Sequence, residues 1–224
     1  MIFRTLTILG VLFLSGCREN IAKKETEKTE ESTSYLNAFA KAHGYEHWKS
    51  AKEIHFTFNV DRDSSHFERS WIWETGPNRV TQISGTDTVQ YVRNQMDSTL
   101  IAVDAAFIND KFWLLAPFQW VWDQKSFSDT LAKDVSAPIS GKMMDKLTIT
   151  YGNEGGYTPG DAYDFYIGKD SLIAEWVFRK GNQAEPSLAT TWEDYITIQG
   201  LKIGSMHKNA EGSFKLYFTN LSVH

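Results

Sequence analysis

The sequence predicts a mainly β fold with some α, an α+β domain in which about eleven short strands run as an antiparallel meander together with two helices. Three observations predict it. Apolar residues alternate with polar ones in many short runs, Gly, Pro, Asn and Asp punctuate the gaps, and one aromatic stretch in mid-chain has helical spacing instead. Alternation sets one face of a strand on a core, and the punctuating residues supply the tight turns that antiparallel neighbours need. The chain has 224 residues and a formal net charge of -5 with no basic stripe, which argues against nucleic acid as a partner.

At the N-terminus, Arg4 precedes a short apolar run, Leu6 to Leu14, that ends in Leu14-Ser15-Gly16-Cys17. The run is too short to cross a bilayer, which takes about twenty apolar residues, so residues 1–16 read as a signal peptide. The Leu-Ser-Gly-Cys ending resembles the lipobox of bacterial lipoproteins, which implies cleavage before Cys17, acylation of its thiol and attachment of the mature protein to a membrane. Cys17 is the only cysteine, so no intramolecular disulfide is open to the chain. Removing residues 1–16, whose only charge is Arg4, takes the net charge from -5 to -6. Residues 18–33 carry four basic and five acidic side chains and one large apolar residue, Ile21. The stretch 17–33 is therefore expected to be a disordered tether and not a polybasic membrane patch. Charges directly after the cysteine also resemble the export signals of some surface lipoproteins of the Bacteroidota, which leaves the periplasmic and the surface face of the outer membrane as alternatives.

Residues 34–224 suffice for one well-buried domain. Ser34 is placed to cap a short amphipathic helix with Tyr35, Leu36, Phe39 and Ala40 on one side, ending at His43-Gly44. Ile54, Phe56, Phe58 and Val60 then alternate with His55, Thr57 and Asn59, and after a polar turn Phe67, Arg69, Trp71 and Trp73 alternate in the same way. Further strands are predicted at 79–83, 88–93, 99–103, 142–151, 162–167, 172–178, 189–198, 201–207 and 214–223. The stretch 126–140 reads as a loop, because its few apolar residues show no sustained period.

Between these halves lies Phe107 to Trp122, FINDKFWLLAPFQWVW, with six aromatic residues in sixteen and only Asp110 and Lys111 charged. Ile108, Phe112 and Leu115 fall at helical spacing with Asp104 as a cap, Pro117 is expected to end the helix, and Phe118, Trp120 and Trp122 then alternate as an extended segment. Each large side chain left in water forgoes roughly 1.5 to 3 kcal/mol. The sheet is the cover available to them.

A lipobox, a long antiparallel meander and an aromatic helical insert halfway along resemble the LolA/LolB-like superfamily of periplasmic lipoprotein carriers and receptors. Local pieces, Asn109 to Phe118, Thr158-Pro159-Gly160-Asp161, Thr191 to Tyr195 and Phe218-Thr219-Asn220, also resemble lipoproteins of the Bacteroidota. The resemblance covers most of residues 48 to 224. It implies a strongly curved antiparallel half-barrel whose concave side is closed by helices and lined with apolar residues that bind acyl chains. The carrier of that family is soluble, so a chain with its own lipobox is similar to the receptor end of such a route or to a stationary relative.

The candidate ligand-binding residues are accordingly Trp71, Trp73, Phe107, Phe112, Trp113, Phe118, Trp120 and Trp122, because aromatic walls suit acyl chains. The same rings would equally serve to fill the space between helix and sheet. No Gly-x-Ser-x-Gly elbow, phosphate loop, dinucleotide fingerprint or His-Glu-x-x-His is present, so no catalytic residue and no cofactor is expected. His43 and His47 lie four apart, but Gly44 and the helix end separate them, and no metal site is expected. Asp61 to His66 reads as a solvated hairpin turn, Asp161 as fixing a Pro-Gly turn, and Asp164 as facing out from a strand. The function these observations favour is a lipid-anchored, non-enzymatic binding protein of the cell envelope that holds an acyl chain, a lipid or a lipoprotein. The alternative is a structural or protein-interaction module with a filled core and no ligand.

Overall fold

The computed structural model describes residues 34–224; the signal segment 1–16, Cys17 and the tether 17–33 lie outside the described residues. Helix α1 (34–42) buries Leu36, Phe39 and Ala40, as their spacing predicts. Four strands follow, β1 (Glu53–Arg62), β2 (Ser65–Glu74), β3 (Arg79–Ser84) and β4 (Asp87–Val92), then the long helix α2 (Ile101–Trp122). The remainder is β5 (Phe127–Ser136), β6 (Met143–Tyr151), β7 (Ala162–Ile167), β8 (Ile173–Arg179), β9 (Leu188–Thr191), β10 (Glu193–Ile198), β11 (Leu201–Lys208) and β12 (Phe214–Val223). The fold is mainly β, 48% strand among the described residues, with the long helix packed on curved antiparallel sheets that do not close into a barrel. One sheet has the order β10-β11-β12-β1-β2-β3-β4 and the other β5-β6-β7-β8-β9.

Trp192 is where the chain passes from one sheet to the other. It stands between β9 and β10, donates its backbone N–H to Ala174 O at 2.7 Å, and is 3% exposed. The neighbouring Thr191 hydroxyl accepts the N–H of Lys208 at 3.1 Å, so β9 is tied to β11 of the other sheet. The single strand predicted over 189–198 is thus two, broken at the tryptophan that joins the sheets.

Helix α2 runs to Trp122, straight through the proline expected to stop it. Leu115 leaves helical geometry (φ -129°, ψ 28°), and the helix restarts behind it. Pro117 then occupies the first turn of the second segment, where no backbone N–H is needed and a fixed φ is already suitable. Phe118, Trp120 and Trp122 are consequently helical and not extended. From Asp110 to Trp120 the helix is buried on all sides, Phe112 and Trp113 meeting Trp176 of β8 at 5.9 and 4.2 Å, while one turn earlier Phe107 faces Trp71 and Trp73 of β2 at 5.4 and 5.5 Å. A helix clad in apolar residues all round belongs in an interior.

Three further expectations are corrected. Residues 99–103 are not a strand: Asp97 caps a turn by accepting the Thr99 N–H at 2.8 Å, and that turn runs straight into α2. Asp104 lies in the first turn of α2 and not at its cap. The supposed loop 126–140 contains β5, paired with β6 from Phe127↔Tyr151 to Ser136↔Met143. Its register shifts between Ala132 and Val135, with Asp134 at φ 51°, and such a bulge erases the two-residue period that a strand otherwise shows.

Gly44 ends α1 at φ 86°, and a Cβ there would lie 2.0 Å from the carbonyl oxygen of Gly200. This close approach seats α1 on β11, whose Lys202 N–H bonds His43 O at 2.9 Å. Gly44→Ala is expected to cost about 3 kcal/mol, combining left-handed strain with a backbone clash. Urea denaturation measures it, and a loss below about 1 kcal/mol would show that the junction yields easily.

Candidate functional site

Four short segments converge on a cleft of about 780 Å³ along the C-terminal half of α2. The turn Tyr45–Ser50 that follows Gly44 brings Trp48 and Lys49, and Ala51 and Lys52 continue its rim. The end of β2 and the turn after it bring Trp73, Thr75, Gly76 and Asn78, and the chain leaving β4 brings Arg93. Helix α2 supplies Lys111, Gln119 and Trp122, spaced eight and eleven residues from the first, which keeps them on one face.

Three indoles form the apolar wall. Trp48 lies 4.8 Å from Trp122 and 5.5 Å from Trp73, with Trp73 and Trp122 6.2 Å apart. Trp73 is held by its N–H donating to Asn78 Oδ1 at 3.1 Å. Against this wall stands Lys111, buried to 6% exposure, its Nζ donating to Gln119 Oε1 at 2.9 Å and lying 4.9 Å from the Trp122 ring and 5.4 Å from Trp73. Burial, reinforced by the Arg93 charge, holds its pKa down to about 8. Arg93 is fixed by Asp104, which accepts from Nε at 2.6 Å and Nη2 at 3.0 Å, and the Tyr91 hydroxyl donates to the same carboxylate at 3.0 Å.

Of the eight candidates read from the sequence, Trp73 and Trp122 line this cleft. The others pack elsewhere. Trp71 and Phe107 fill the space between β2 and α2, and Phe118 packs on Tyr45 and Trp48 at 5.3 and 5.7 Å. Phe112, Trp113 and Trp120 fill the other side against β7 and β8, Trp120 lying 4.8 Å from Phe165. A space of about 110 Å³ stands there beside Trp113, Tyr163 and Trp176, large enough for a few waters and not for an acyl chain. Cys17 lies outside the described residues. Sequence reasoning misses Trp48, Arg93 and Lys111; the one signal for Lys111 is its position as one of two charges in an otherwise apolar stretch.

Other polar candidates serve the fold. His43 is buried, its Nδ1 2.8 Å from Phe39 O and its Nε2 within reach of the Tyr195 hydroxyl and the Ile173 N–H, and burial brings its pKa down to about 4. It is a neutral ring tying α1 to both sheets. Asp164 is 8% exposed and not outward in water, paired with Arg179 Nε at 3.0 Å and Thr148 Oγ1 at 2.5 Å. Asp61 and His66 meet at 2.7 Å across the β1–β2 turn, which raises the pKa of the histidine.

No family model matches the chain, and no curated protein matches its sequence. Among solved structures, a DUF1329 family protein from Desulfovibrio piger superposes with a TM-score of 0.50 at 11% identity, over 87% of this chain and 92% of that one. At that identity the likeness is one of fold. A LolA superfamily protein from Nitrosomonas europaea overlaps with a TM-score of 0.38 at 8% identity, over 78% of this chain and 86% of that one. The MucA/MucB complex structure from Pseudomonas aeruginosa overlaps with a TM-score of 0.28 at 11% identity, over 86% of this chain and 57% of the matched chain.

Proposed function

We propose that this protein is a lipid-anchored, non-enzymatic binding protein of the bacterial cell envelope, held at the membrane through Cys17, whose ligand packs in the cleft of Trp48, Trp73 and Trp122. The observation that carries the reading is the cleft itself, about 780 Å³, walled by the indoles of Trp48, Trp73 and Trp122. Its mechanism is burial: an apolar chain laid on three indoles leaves water and gains roughly 25 cal/mol per Å² covered. The volume falls in the range of small-ligand sites. The ligand is thus expected in this cleft along the C-terminal half of α2, and not on the side of the helix that faces β7 and β8, where the aromatic rings leave a space of only about 110 Å³.

The full-length lipoprotein, purified from envelopes, is expected to show bound amphiphile by native mass spectrometry and to take up a fluorescent fatty acid. Trp122→Ala should weaken that uptake about ten-fold, the effect of removing one large aromatic surface. Absence of both bound lipid and uptake would overturn the reading. It would favour the second one, a protein-interaction module, for which the filled space between α2 and the sheets speaks.

A further inference from the structure

The cleft is one-sided in charge. Lys49, Lys52, Arg93 and Lys111 line it and no carboxylate does, in a chain whose net charge is -5. Three of the cations have an evident setting: Arg93 is paired with Asp104, Lys52 Nζ donates to Lys49 O at 2.7 Å, and Lys49 stands on the exposed rim.

Lys111 is different. Its ammonium has three N–H donors and a single hydrogen bond, to the neutral Gln119 amide, and among the described residues no carboxylate lies within ion-pair distance of it. A buried charge without a counter-charge is destabilising by several kcal/mol, and a thioether of similar length would fill the same space without that penalty. The two indoles flanking Nζ offset only a part, since a cation over an aromatic face is worth about 2 kcal/mol when desolvated. Lys111 lines the cleft, so its remaining donors are within reach of a group that binds there.

We propose that the cleft binds an amphiphilic anion, its apolar body against Trp48, Trp73 and Trp122 and its acid head, carboxylate or phosphate, on the Lys111 ammonium with Arg93 alongside. This deepens the function proposed above and rests on it. The head group completes the hydrogen bonds of Lys111, and an ionic hydrogen bond is about twice as strong as a neutral one. The charged groups facing the amine are Arg93 beyond β4, Asp104 and Asp123 at the two ends of α2, and Lys49 and Lys52 on the rim.

Decanoate, decyl phosphate and decanol, titrated into the full-length protein and its Lys111→Met variant with indole fluorescence as readout, test the assignment. At neutral pH the wild type is expected to bind one of the two acids at least about ten-fold more tightly than the alcohol. The tighter acid tells a free fatty acid from a lipid phosphate. Lys111→Met should bring acid and alcohol to within about two-fold of each other, while unfolding at or above the wild-type temperature. In the wild type the preference for decanoate should fade as pH rises past about 8, where the free amine loses its proton. Equal binding of all three probes, or an acid preference that survives Lys111→Met, would overturn the inference and leave the binding function standing. Failure of all three to bind would remove both.

Discussion

Asp110→Ala is expected to lower the unfolding free energy by about 3 to 5 kcal/mol, the range for removing one partner of a buried ion pair. Asp110 is fully buried, and its carboxylate accepts Arg69 Nε at 2.5 Å, Arg69 Nη2 at 2.7 Å, Trp71 Nε1 at 2.8 Å and Asn109 Nδ2 at 3.0 Å. The guanidinium in turn lies over Phe58, Phe67 and Trp71 at 5.4, 5.2 and 5.8 Å. Alanine would strand a largely buried cation and an indole N–H together. The damage comes less from the missing hydrogen bonds than from the charge left behind, so the double replacement Arg69→Met with Asp110→Leu should recover much of the loss. Urea denaturation of the three proteins decides it. An Asp110→Ala chain within about 1 kcal/mol of wild type would mean that water reaches Arg69 freely.

Trp120→Ala is expected to cost about as much, roughly 3 to 5 kcal/mol, through a different mechanism. The ring is fully buried against Phe165, and its removal leaves a void in a rigid interior walled by both sheet and helix. Trp120→Phe makes the control. The indole Nε1 has no hydrogen-bond partner among the described residues, so losing it forfeits no bond, and the residual change in volume should cost under about 1.5 kcal/mol. Equal losses for Ala and Phe would show that the N–H is satisfied after all.

How far the sequence can be read follows from the range of the interactions involved. That β1 and β2 are strands is a local signal and survives in the structure, as does the end of α1 at Gly44, because each depends on neighbours a few residues away; the alternation itself holds only in part, since Thr57 and Asn59 are buried with Phe56 and Phe58 and Phe67 is exposed. Pro117 misleads because its effect depends on Leu115 breaking the helix just before it, a tertiary adjustment made while both sheets grip the flanking aromatic rings. The bulge in β5 shifts its period halfway and so disguises a strand. In the candidate site, Trp73 and Trp122 announce themselves by size. Trp48, Arg93 and Lys111 do not, because the cleft joins segments tens of residues apart and no spacing brings them together. Asp110 and Lys111 are adjacent in the chain and are the only charges between Phe107 and Trp122. The structure sends them to separate neighbourhoods, Asp110 to Arg69 and Lys111 to the indoles.

An unclosed wall of strands has lateral rims, and bare backbone donors and acceptors there invite another polypeptide to add itself. At β5, the outermost strand of its sheet, Asp129, Lys133 and Asp134 place charge along the rim, and the irregularity at Ala132–Val135 twists the ladder out of the flat geometry an incoming strand requires. A strand arriving at β5 would therefore meet a guarded border, which disfavours edge-to-edge growth of this sheet on that side.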